Sequence, residues 1–198
     1  MKNDKIKNKA LIRRLFLVFL VLVLYLGVSY YNKTVTNETF EKVKVTKVVD
    51  GDTFYVGPDK VRVIGINTPE VGENEEELGE EAKIRAEELI LNKTVYLKTC
   101  KELVDQYGRN LRYVFLVDPK NVSNIDEKML REATLEGVLL KEGLARCYFF
   151  KPNNEYEETF RKFEDEARKN KMGMWSISDE GTTRGNWCIN TIWKNLQL

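Results

Sequence analysis

Residues 48–66 read VVDGDTFYVGPDKVRVIGI, and the folding of this stretch sets the architecture of the chain. Asp50-Gly51 is a strong hairpin signal between runs rich in Val, Phe and Tyr, and Gly57-Pro58-Asp59-Lys60 marks a second turn. Three short strands follow from it: one ending at Val48-Val49, one over Thr53–Val56, and one over Lys60–Ile66. Upstream, KVKVTKVV (Lys42–Val49) alternates apolar and polar residues at the strand period and extends the first of these.

Beyond Ile66 the pattern changes to the helical period. Leu78, Ala82, Ala86 and Leu89 share one face of a helix expected around Glu80–Leu91, with acids crowding its N-terminal end. TVYLKT and LRYVFLV read as strands around the polar loop CKELVDQYGRN. A second helix is expected over roughly Glu127–Glu142, stopped by Gly143. A third follows KPNN, capped by Asn154 with Glu157 three residues on, and buries Tyr156, Phe160, Phe163 and Ala167. The result is an α+β chain: five short antiparallel strands, closed into an OB-like barrel to hide their edges and packed with three helices.

The sequence begins with six basic residues against Asp4 in its first fourteen, a net +5, which leaves −4 on the rest of a chain whose total is +1. A mildly acidic body is not the footprint of a strong nonspecific DNA binder. The basic leader (1–14) runs into the apolar stretch Leu15–Tyr31, expected to be a membrane anchor or a signal segment. Residues 32–42 read as a linker, 43–176 as the folded domain, and 177–198 as an extension carrying Trp187, Cys188 and Trp193. The body is therefore expected outside the cytoplasm, membrane-anchored or secreted after cleavage. Cys100, Cys147 and Cys188 lack zinc spacing, and one bridge among them leaves an odd thiol.

There is no histidine, which excludes an imidazole base, a His-ligated metal and Ser-His or Cys-His pairs. Chemistry must come from carboxylates, Arg, Lys, Tyr, Cys or a metal held by oxygen. Four stretches carry such groups: Asp50 and Asp52 in DGDT; Arg62, Asn67, Thr68 and Glu70 in RVIGINTPE; Arg109 in DQYGRN; and Tyr148 and Phe150 in CYFFKPNN. Singly, each has a bland explanation. Asp50 is accounted for by its turn, and Arg62 by an outward position on an alternating strand. Together, a hard cation on oxygen ligands, two guanidinium forks and one carboxylate supply what phosphodiester hydrolysis needs.

In these blocks, with KMGMWS at 171–176, the chain resembles the thermonuclease (staphylococcal-type nuclease) family from about Val43 to Ser176. The resemblance implies an OB-like barrel and a calcium-dependent endonuclease that cuts DNA or RNA, single- or double-stranded, to 3′-phosphorylated products, acting as a monomer. By the same resemblance, Arg62, Glu70 and Arg109 are catalytic, with Glu70 acting on the attacking water. Asp52, Asn67 and the Thr68 carbonyl would hold calcium, Asn67 standing where the family has a second aspartate. Tyr107, Tyr148 and Phe150 would line the nucleotide site, Phe150 in place of a tyrosine, and Gln106 replaces a lysine beside the loop tyrosine. The alternative is a tethered, catalytically disabled OB-fold binding module.

Overall fold

The structure is a computed structural model, and it describes residues 15–27, 40–73, 75–119 and 125–183. The chain divides into two units, 1–39 and 40–198. In the first, residues 15–27 form helix α1, with every side chain exposed. Thirteen residues span about 20 Å at 1.5 Å each, short of the roughly 30 Å of a bilayer core. No helix among the described residues is long and apolar enough to cross a membrane. Residues 28–31 of the expected anchor lie outside the described residues.

In the second unit, the strands are β1 (Phe40–Lys44), β2 (Lys47–Asp50), β3 (Thr53–Val56), β4 (Asp59–Val63), β5 (Gly65–Asn67), β6 (Thr94–Lys98), β7 (Asn110–Phe115) and β8 (Arg146–Tyr148). The helices are α2 (Gly79–Ile90), α3 (Glu127–Ala133), α4 (Leu135–Lys141) and α5 (Glu157–Lys169). The α+β class holds, but the strand count and the closure differ from expectation. Six strands form one sheet in the order β1-β6-β7-β4-β3-β2, and β5 pairs with β8 in a second. The ladder is not closed into a barrel by strand pairing. Its edges, β1 and β2, are consecutive pieces of KVKVTKVV, broken at Val45-Thr46 where Val45 N donates to Lys93 O and Thr46 N to Tyr55 O.

Two other expected continuities are broken for local reasons. The run Lys60–Ile66 divides at Gly65, whose φ of +85° ends β4 and starts β5; a Cβ there would meet the Phe149 ring at 2.9 Å. The expected helix 127–142 divides at Thr134, which is extended (φ −119°, ψ 149°). Its hydroxyl accepts from Gly137 N and donates to Leu130 O, capping α4 while finishing α3. Tyr156, not Asn154, stands at the N-cap of α5, and no side chain caps it. Of the stripe expected to be buried on that helix, Phe160, Phe163 and Ala167 are buried, while Tyr156 at its start is half-buried.

The core gathers Val48, Phe54, Val61 and Val63 with Val95, Leu97 and Val114 from the sheet, and Leu139, Phe160 and Phe163 from the helices. Lys98 in β6 meets Glu155 and the Tyr156 hydroxyl, its ammonium 4.7 Å from that ring centroid, which ties β6 to the start of α5. The described part of the C-terminal extension packs on the domain: Thr182 Oγ1 donates to Glu77 O, Arg168 to Asp179 O, and Arg146 to Glu180 O. Trp187, Cys188 and Trp193 lie outside the described residues.

Candidate active site

The β2-β3 turn sets the first part of the site. Asp52 N donates to Asp50 Oδ1 at 3.0 Å, an Asx turn that swings Asp52 inward. There Asp52, only 6% exposed, accepts from Thr53 Oγ1 (3.0 Å) and from Thr68 N (2.9 Å), with Arg62 Nη2 3.1 Å away. One carboxylate thus joins β3, β4 and the segment after β5.

Arg62 is not the outward, solvated residue that strand alternation suggests. It is 8% exposed because the break at Gly65 folds the chain back over its head group. Nη1 donates to Val63 O (2.5 Å) and Ile66 O (2.9 Å), while Nη2 reaches Asn67 Oδ1 (3.1 Å) and Asp52 Oδ2. Three hydrogen bonds and the nearby Asp52 carboxylate thus hold its terminal nitrogens. Asp52 and Asn67 both present an oxygen to Arg62 Nη2. Thr68 Oγ1, beside them, is buried without a hydrogen-bond partner.

Glu70 is the exposed carboxylate at the rim. Its backbone N–H donates to Glu76 Oε2 (3.0 Å) and its carbonyl accepts from Glu76 N (2.9 Å). Helix α2 starts against the same carbonyl: a Cβ on Gly79 would lie 2.2 Å from Glu70 O, so only glycine permits this approach. Burial, then the negative charges of Asp52 and Glu76, hold the Glu70 carboxyl above its ordinary range, while Arg62 and Arg109 pull the other way. Burial and Asp52 likewise push Asp50 up to about 7.

The second guanidinium comes from the loop before β7. Asp105 Oδ1 accepts from the N–H groups of Tyr107 and Arg109, both at 2.9 Å, and Oδ2 accepts from Arg109 Nε at 2.6 Å. Burial pushes the Asp105 carboxyl up, but these bonds outweigh it and hold the group below its ordinary range. Arg109 stacks on Tyr107, 5.4 Å from the ring centroid, and that ring is 75% exposed. Tyr148 reaches the site region through β8, whose register sets Gly65 opposite Tyr148 and Asn67 opposite Arg146. Phe150 is exposed and meets Tyr148 edge-on, with centroids 4.6 Å apart.

The structure therefore joins Asp52, Arg62, Asn67 and Thr68 by direct contacts, with Glu70 two residues beyond Thr68, and holds Arg109 on a separate loop by Asp105. Asp105 had no role assigned from sequence, although it carried a readable signal, an Asx turn two residues before Tyr107. Glu76, which from sequence could with Glu73 or Glu75 lend its charge to the metal set, is held on the Glu70 backbone by a six-residue loop closing on itself. No group of three or more His, Cys, Asp or Glu side chains among the described residues is placed to hold a metal. Cys100 and Cys147 are free thiols, and Cys188 lies outside the described residues.

The site thus holds a buried aspartate-arginine pair, a rim carboxylate raised by burial, and a second arginine on a tyrosine. The family model described as Staphylococcal nuclease homologue matches residues 60–177. The chain belongs to that family. It is 34% identical to a thermonuclease of Staphylococcus hyicus over 71% of this chain and 79% of that protein. It is 36% identical to Endonuclease YncB of Bacillus subtilis over 74% of this chain and 68% of that protein. An uncharacterized protein of Methanocaldococcus jannaschii is 34% identical over 76% of this chain and 80% of its own length.

Proposed function

We propose that the chain is a calcium-dependent nuclease that hydrolyses phosphodiester bonds of DNA and RNA outside the cytoplasm. The observation that carries this reading is the joining of Asp52, Arg62 and Asn67 by ion pair and hydrogen bond, the last of them three residues before Glu70, whose carboxyl is raised by burial and then by Asp52 and Glu76. Glu70 orients a water and takes its proton as the water oxygen bonds to phosphorus and the P–O5′ bond breaks. Arg62 and Arg109 bind the non-bridging oxygens, where charge builds up in the transition state. Arg62 meets a phosphate oxygen through Nη2, exchanging the uncharged side-chain acceptor Asn67 Oδ1 for it. Tyr107, Tyr148 and Phe150 offer exposed or half-buried ring faces to the bases.

The donor set suits a hard cation. Asp52, Asn67 Oδ1 and the Thr68 carbonyl are all oxygens, the first two meet a positive group already, the Arg62 guanidinium, and the Thr68 hydroxyl is unspent. These residues would hold calcium, which supplies positive charge beside the scissile phosphate. With one carboxylate among the three, binding is weak, and an extracellular calcium level suits it. The stretch Leu15–Tyr31, of which α1 covers 15–27, is read as the anchor or signal segment that delivers the domain there.

Asn67 itself favours a second reading, a disabled module that binds nucleic acid without cutting it. The two are separated by incubating the full-length chain with single-stranded DNA and calcium, beside Glu70→Gln. Cleavage by the parent and its loss in Glu70→Gln support the enzyme. Binding with no cleavage by the parent supports the module.

A further inference from the structure

We propose that Lys47, Tyr55 and Lys60 form a strip that carries the nucleic-acid strand away from the catalytic site, each lysine on a phosphate and the tyrosine under a base. The inference rests on the nuclease reading above and adds a subsite to it. Its basis is register. Thr53 pairs with Arg62 across β3 and β4, and Tyr55 pairs with Lys60 two residues further on. Residues two apart on a strand share a face. Phe54 and Val61, between them, are 1% and 2% exposed and fill the core, so Arg62, Thr53, Tyr55 and Lys60 all lie on the opposite face. Lys47 of β2 pairs with Tyr55 from the other side.

The strip is thus one row across three strands, a step of about 7 Å from the row that holds Arg62, by the strand rise of roughly 3.4 Å per residue. Its two ammonium groups flank one ring, Lys47 Nζ at 5.9 Å and Lys60 Nζ at 6.0 Å from the Tyr55 centroid. Neither lysine enters an ion pair among the described residues; each lies instead beside the Tyr55 ring. The adjacent acid does not neutralise them: Asp59 lines a small cavity of about 40 Å³ with Val56 and Val61, on the core side. A chain whose body is net acidic therefore keeps two uncommitted cations and a half-buried ring beside its phosphate site. An acidic, stackable polymer fits that combination.

The test uses the full-length chain in detergent, with a chelator present to prevent turnover. Fluorescence anisotropy follows a labelled oligothymidylate of about twelve nucleotides, within the roughly 4–16-nucleotide footprint of OB-type folds. Tyr55→Thr should weaken binding by roughly 5- to 100-fold. Lys47→Gln with Lys60→Gln should lower the slope of log Kd against log salt by about 1.4, near 0.7 for each released contact. With calcium, turnover of a thymidine dinucleotide, which has no phosphate besides the scissile one for the lysines to hold, should match the parent in Lys47→Gln with Lys60→Gln. Oligonucleotide affinity and salt slope equal to the parent's would overturn the strip and show the trio to be a cross-strand packing cluster. Equal losses on dinucleotide and oligonucleotide would also overturn it, placing the effect in the catalytic site. A parent that binds the oligonucleotide but cuts nothing ends the nuclease reading alone, because the binding arm still reads the strip.

Discussion

Arg62 and Arg109 are held by different means, and the difference has consequences for substitution. Arg62 is buried and ties the Val63 and Ile66 carbonyls to Asp52, whereas Arg109 sits in a loop, one-quarter exposed, on Asp105. An ammonium cannot reproduce either fork. Arg62→Lys and Arg109→Lys should each lower kcat by at least ~10²-fold, the usual loss for a preorganised oxyanion donor. They should part in stability. Arg62→Lys leaves buried acceptors unmet and should cost about 1–3 kcal/mol, while Arg109→Lys should cost little. Urea unfolding of both variants beside single-turnover rates checks the pair of expectations; near-normal turnover in either would remove that arginine from the mechanism. Asn67→Asp adds a carboxylate beside Asp52 and should lower the calcium midpoint of activity by roughly 10- to 100-fold, from ligand charge. A midpoint left unchanged would put Asn67 outside the metal site.

At the scale of elements, the register of β3 and β4 and the β5-β8 pair do the positioning, and much of this was legible. DGDT and GPDK marked their turns, and the alternation of Val48, Phe54, Val61 and Val63 fixed which face was core. What was not legible depends on contacts distant in sequence. The pairing of β4 with β7 is parallel, so no hairpin announces it, and three-residue β8 is too short to show a period. Arg62 was misjudged for the same reason: alternation gave its face correctly, but the fold-back at Gly65 that covers it is tertiary. Helix α2 contributes through Gly79. Gly79→Ala should displace the Glu70 carbonyl and with it the Glu76 clamp, so kcat falls more than Tm does. Equal retention of activity and Tm would show that the α2 start can shift without moving Glu70.

Helix α4 carries a group unrelated to the site. Glu136 is fully buried, accepts from Val114 N at 3.0 Å through Oε1, and leaves Oε2 without a partner. Burial pushes its carboxyl up to about 8. The folded chain then keeps a proton that the unfolded chain releases, so this contribution to stability is present below about pH 4.5 and is lost as pH rises toward 8. Asp50, raised to about 7, adds a slope of the same sign, which makes the difference between variants the useful quantity. Glu136→Gln keeps an acceptor for Val114 and should be the more stable protein at pH 8, by roughly 1 kcal/mol or more per pH unit of removed slope. Parallel stability-pH curves for parent and Glu136→Gln would mean that Glu136 ionises normally.

For the whole molecule, a domain with one carboxylate in its candidate metal set should depend on calcium in solution rather than retain it through purification. A site that holds its substrate by backbone charge and ring stacking should also discriminate little among sequences, since neither carries a base code. The most direct measurement is a calcium titration of single-stranded DNA cleavage by the full-length chain, from chelator to the millimolar range. Cleavage that is absent in chelator and rises to saturation with calcium, with Glu70→Gln inert throughout, is the result expected. A parent that cuts nothing at saturating calcium, or cuts equally well in chelator, would contradict the calcium-nuclease reading of this site.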